Sequence, residues 1–255
     1  MLKPAVKTLL PLVLWAKAEK DGSIAVGHTA SADGIGSIAL GDGAKITSTP
    51  ASDSEAAISI GKDSSASALN GVAIGNKASV IGSQGIALGD GAVAGAKQNI
   101  SIGFEAGKGT YHNDSNTHVQ NIAIGTASGK DVHGQNNLAI GFNAGQTVGT
   151  ESKAADDNIS IGRGAGNTIT GDENISIGLG ANTGGVSSHR SIAIGSKAKA
   201  SNVDSIALGT SSHAQDNNTI AIGLESSAAG GGVALGSGAK AQSGHIALGQ
   251  DSVAT

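Results

Sequence analysis

Residues 191–214 read SIAIGSKAKASNVDSIALGTSSHA, two near-copies of one fourteen-residue unit. In each copy two branched residues flank a small one: Ile192 and Ile194 around Ala193, then Ile206 and Leu208 around Ala207. That alternation is a strand pattern, with large side chains on one face and small ones on the other. Gly195 or Gly209 follows, a residue that permits a tight bend at positive φ. Three residues beyond the glycine stands Ala198 or Ser212, and two further on Ala200 or Ala214. The second stretch predicts another short strand whose inward side chains are very small.

Working outward, the phrase (small or polar, branched, Ala or Ser, branched, Gly) occurs fifteen times, ending at Gly27, Gly41, Gly61, Gly75, Gly89, Gly103, Gly125, Gly141, Gly162, Gly178, Gly195, Gly209, Gly223, Gly236 and Gly249. The basic interval is fourteen residues, and the third residue after the glycine is Ala or Ser in every copy. Self-similarity at this period predicts a solenoid. Two strands and two turns make one flat coil. Coils stacked about 4.8 Å apart pair each strand with its own copy, giving an all-β parallel β-roll of about fifteen short coils, roughly 70 Å of stack.

So thin a coil has no room for its large residues. Ile38, Leu40, Ile74, Leu88, Ile192, Ile194, Ile206 and Leu208 belong to a set of thirty such positions, two per phrase. Left in water they form an apolar stripe far larger than the few hundred Å² that soluble monomers expose. Each is worth roughly 1.5–3 kcal/mol when buried. The expectation is self-association, with these residues packed between copies around a closed axis.

Composition narrows the function classes. Forty-one glycines and four aromatic residues do not build an ordinary globular core. A net charge of −4 provides no basic stripe, so neither nucleic acid nor an anionic membrane surface is an expected partner. The seven histidines share no metal-ligand spacing, and the absence of cysteine excludes a disulfide framework and thiolate chemistry. GFEAGKG (103–109) lacks the spacer and the Ser/Thr of a phosphate loop. No nucleophile–base–acid set emerges from periodic positions. The chain is therefore expected to be non-catalytic, with no cofactor and no metal.

Residues 1–20, MLKPAVKTLLPLVLWAKAEK, differ from the remainder (21–255). Lys3 and Lys7, the apolar run from Leu9 to Trp15, and Ala16-Lys17-Ala18 have the layout of a secretion signal. The alternative is an N-terminal cap that buries Leu12, Leu14 and Trp15 against the first coil, because solenoids need covered ends.

The phrases SIALG (37–41), GVAIG (71–75), GIALG (85–89), SIAIG (191–195), SIALG (205–209) and HIALG (245–249) resemble the head repeats of YadA-like trimeric autotransporter adhesins. The resemblance covers about residues 23–255. It implies a left-handed roll in three identical chains whose apolar residues meet between subunits. It further implies a bacterial cell-surface location and attachment to host extracellular matrix or cell-surface ligands. Anchoring in the outer membrane would come through a C-terminal stalk and barrel beyond this sequence. Related repeats in phage tail-fibre tips give a second reading, receptor binding. An ice-binding solenoid fits less well, since Thr is irregularly placed.

The long intervals are where a solenoid carries loops. Three stand out: 42–56, 104–120 and 142–157. The second holds Tyr111, His112, Asn113 and His118, and Tyr111 is the sole tyrosine of the chain. Tyrosine offers contact area and a hydrogen bond at low entropy cost. These four residues are the candidate ligand contacts. The competing site is the regular roll surface.

Overall fold

The computed structural model describes residues 15–47, 56–109, 118–183 and 188–255, which divide into a unit ending at Gln120 and a unit beginning at Asn121. All fifteen phrases form three-residue strands, and the described residues contain no helix. In the first unit these strands are Ile24–Val26, Ile38–Leu40, Ile58–Ile60, Val72–Ile74, Ile86–Leu88 and Ile100–Ile102. Each pairs with the next in parallel and in register, Ile24 beside Ile38 and Ile38 beside Ile58. A second ladder joins Lys17–Ala18, Ser31–Ala32, Lys45–Ile46, Ser65–Ala66, Ser79–Val80 and Val93–Ala94.

The second unit repeats the plan from Ile122–Ile124 to Ile246–Leu248. Its second ladder runs through Lys199–Ala200, His213–Ala214, Ser227–Ala228, Lys240–Ala241 and Val253–Ala254. Within each unit the expected parallel roll is present.

The small residue at the centre of each phrase points into the coil and the two branched residues point out. Ala25, Ala39, Ser59, Ala73 and Ala87 are fully buried, as are Ala30, Ala44, Ser64, Ala78 and Ala92 three residues after the glycines. The core of a narrow coil is thus a column of methyl groups and hydroxyls. Ser59 and Ser64 satisfy each other across it at 2.8 Å.

Each coil closes with two left-handed residues. One stands two positions after the phrase glycine, such as Lys77 (φ 55°) or Ser211 (φ 57°), and the other two positions before the phrase strand, such as Gln84 (φ 61°) or Asn218 (φ 57°). The first completes a four-residue turn in which the following amide donates to the glycine carbonyl, as from Ala78 to Gly75 at 3.3 Å. Non-glycine side chains cost about 1 kcal/mol in that region, and the stacked ladder holds them there.

Two inward residues exceed the expected size. Ile46 and Val80 are fully buried. Around Val80 the space comes from glycine: a Cβ on Gly71 or Gly85 would stand 2.9 or 3.0 Å from Val80 Cγ1. These phrases open with glycine because a neighbouring coil has filled the volume that Ser occupies elsewhere.

A second departure concerns coil width. After Gly103, Gly125, Gly141, Gly162 and Gly178 no second strand forms among the described residues. The residue following the buried Ala or Ser is instead left-handed, at Gly107, Gly129, Gly145, Gly166 and Asn182. The chain there swings wide before returning. The added volume takes larger apolar residues, with Val132, Val148 and Ala155 forming a buried cluster and Ile169 fully buried.

Candidate interaction surface

In each unit the phrase strands turn their branched side chains outward into one apolar face. Ile38, Leu40, Ile74, Ile192, Ile206 and Leu208 are half-buried, shielded along the ladder by their copies above and below. Leu88 and Ile194 remain 41% and 39% exposed. The first residue after the glycine extends this apolar character at Phe104, Phe142, Leu179 and Leu224, all exposed. The opposite face is polar: second-strand residues Ser31, Lys45, Ser65 and Ser79 in one unit, and Lys199, His213, Ser227 and Lys240 in the other, flank buried neighbours.

The two edges of the coil differ as sharply. The glycine turn has the same four-residue length in all fifteen copies, whereas every added residue enters between the second strand, or its replacement, and the next phrase. Of the sequence-predicted loops, residues 48–55 of 42–56 and residues 110–117 of 104–120 lie outside the described set. Tyr111, His112 and Asn113 are therefore not placed. His118 is half-buried and left-handed (φ 63°), at the start of the described path into the next phrase strand. The third loop is fully described. Val148 and Ala155 are buried at its two ends, and Thr150 to Ala154 are exposed. At the N-terminal end Trp15 is 75% exposed, and Leu12 and Leu14, the other residues of the alternative cap, lie outside the described residues.

Charged groups pair between neighbouring coils of this edge. Arg190 donates from Nε and a terminal nitrogen to Asp204 at 2.7 and 3.0 Å, which lowers the Asp204 pKa and raises that of Arg190. Both lie in open solvent, where such a pair adds little stability. His189 Nδ1 accepts from the Asp172 amide at 3.1 Å. On the polar face, burial first and the neighbouring Lys199 charge second push the His213 pKa down. No group of three acidic, histidine or cysteine side chains among the described residues is placed to hold a metal ion. No helix among them is long and apolar enough to cross a membrane.

One feature was missed from the sequence. In the wide coils the residue opening the phrase is Asn99, Asn121, Asn137, Asn158 or Asn174, each at most 8% exposed. The switch to Asn coincides with the run of lengthened intervals from Gly103 to Gly195, and that coincidence was the available signal.

An outward row of branched residues, alanines within, and a constant glycine turn describe a known repeat. The family model for the YadA head domain repeat matches residues 18–44, 54–78, 187–212 and 200–226. In these segments the chain carries repeats of the YadA head type. No curated protein matches it in sequence comparison. The matched segments lie mostly among narrow coils, the third beginning in the last wide coil, while the wide coils between Gly103 and Gly178 and the narrow coils at 79–102 and 227–255 fall outside them. The matched repeat is of the adhesin type.

Proposed function

We propose that this chain is the head of a homotrimeric bacterial surface adhesin that attaches cells to host matrix or cell-surface ligands without catalysis. The observation that carries the reading is the apolar phrase face, bordered by the one edge that never receives an insertion. A surface free in solution tolerates loops; one that packs against other copies does not. Three copies closing their phrase faces around an axis would bury the Ile and Leu residues and leave the polar face and the insertion edge outside. The adhesin-type repeat supports a cell-surface location, where repeated coils in three chains would give multivalent contact.

Sedimentation of the purified head tests the assembly: a mass of three chains supports it, and a stable monomer overturns it. Adhesion to immobilised matrix tests the contact. With 104–120 shortened to a plain fourteen-residue coil, adhesion falling at least about tenfold would assign the contact to that loop, since three copies are lost together. Undiminished adhesion by the folded, shortened protein would assign it to the regular roll. Failure of the intact head to adhere to any matrix or cell surface would overturn the functional reading.

A further inference from the structure

Successive asparagines of the wide coils bond to one another in a continuous buried chain. The Asn137 amide donates to Asn121 Oδ1 at 2.9 Å, the Asn158 amide to Asn137 Oδ1 at 3.0 Å, and the Asn174 amide to Asn158 Oδ1 at 3.0 Å. The Ser191 amide closes the run on Asn174 Oδ1 at 3.1 Å. In narrow coils the same amide instead closes a local turn, as from Ser37 to Gly34. The asparagine thus replaces a turn that a widened coil can no longer make.

Its other end holds the excursion. Nδ2 of Asn121, Asn137 and Asn174 donates to the carbonyls of Gly134, Ala155 and Ser188 at 2.8, 2.9 and 2.8 Å. Each acceptor lies four residues before the next phrase strand, where the wide path rejoins the roll. For the excursion ending at Ala155 the departing end is fixed as well. The Gly149 amide donates to Ile169 and the Ala155 amide to His133, at 2.7 and 2.8 Å. Between these roots the hydrogen bonds of Thr150 to Lys153 close on themselves: Thr150 and Lys153 exchange amide–carbonyl bonds of 2.7 and 3.1 Å, and the Thr150 and Ser152 hydroxyls meet at 3.3 Å.

We infer that the ladder of Asn121, Asn137, Asn158 and Asn174 is an anchoring site that fixes the roots of the edge excursions, making residues 150–154 an exchangeable display segment whose length and composition the roll does not sense. A buried amide with both ends engaged supports this role, because removing it leaves backbone groups buried and unpaired. The ladder lies in the section outside the matched repeats, as expected of a device added to the plain roll.

Two exchanges on the full chain test it, read by melting temperature, so that the outcome does not depend on adhesion. Asn137→Ala, which removes both the acceptor of the Asn158 amide and the donor to the Ala155 carbonyl, should lower Tm by about 5 °C or more. Asn137→Ser should not restore it, because a hydroxyl on Cβ does not span the two partners. Replacing residues 150–154 with eight Gly and Ser residues should change Tm by about 1 °C or less. A melting temperature unmoved by Asn137→Ala would overturn the anchor, and a loss on loop exchange equal to that of Asn137→Ala would overturn the independence of the segment. Should Asn137→Ala not fold, amide exchange of the parent decides: protection of the Asn158 amide equal to that of Ile159–Ile161 supports the ladder, and rapid exchange overturns it.

Discussion

Gly75 lies so close to Gly89 that a Cβ added to it would stand 2.3 Å from the Gly89 carbonyl oxygen. The same contact links phrase glycines along each unit, and Gly75 has a φ of 136°. Stacking distance therefore prohibits a side chain quite apart from backbone conformation. Gly75→Ala should destabilise by about 3 kcal/mol, combining strain with a backbone clash that no rotamer relieves. Gly249→Ala is the control, since nothing lies within 4 Å of its added Cβ. Thermal melting of both variants checks this: equal losses would mean that φ strain alone fixes the glycines.

Ile194 projects from the phrase face beside Ile177 and Leu208. In the proposed trimer, Ile194→Asp places a carboxylate in an apolar interface with no cation among the facing stripe residues, at a cost of several kcal/mol per site. Sedimentation should show loss of the trimer. Lys240→Asp on the polar face should leave the mass unchanged. A trimer that survives Ile194→Asp with unaltered melting would move the interface elsewhere.

The sequence makes the roll legible because its signals are strictly local and repeated. Ile192, Ala193 and Ile194 state the two faces, and Gly195 states the turn. Fourteen residues enclosing little volume already imply that the branched residues lie outside, where Ile194 is found 39% exposed. What a single copy does not reveal is compensation between coils. Val80 fits only because Gly71 and Gly85 stand beside it, and neither spacing nor propensity announces that exchange of volume. The second strand expected in every coil fails after Gly103 to Gly178 for a similar reason. A left-handed Gly or Asn in the next position redirects the chain, and the asparagine ladder takes over the bonds that a short turn supplies elsewhere.

His213 gives the polar face a pH response. Its folded pKa lies below the ordinary value of 6.5, through burial and then the Lys199 charge. The unfolded chain accordingly takes up a proton more readily as pH falls past about 6.5, and stability contributed above that value is lost on acidification. In the ladder His213 is in register with Lys199 and Ser227, and Nε2 lies 3.1 Å from the Ser201 hydroxyl. Denaturant titrations at pH 7.5 and 5.5 should show a smaller loss for His213→Gln than for the parent. Identical losses would remove His213 as a source of acid sensitivity.

The exchange of volume around Val80 makes a quantitative test of core packing. Val80→Ala removes two buried methyl groups and should cost about 2 kcal/mol. Gly71→Ala meets no strain from φ, but its new Cβ would lie 2.9 Å from Val80 Cγ1 and 3.2 Å from the Ala68 carbonyl oxygen, so in the parent it should cost about 1–3 kcal/mol. Combined with Val80→Ala, the closer of these contacts disappears and the new methyl enters the space released. The double variant should then be more stable than the sum of the single losses predicts, by about 1 kcal/mol or more. Chemical denaturation of the four proteins provides the cycle. Additive losses would show that Gly71 answers to the Ala68 carbonyl rather than to Val80, and that the two coils do not trade volume.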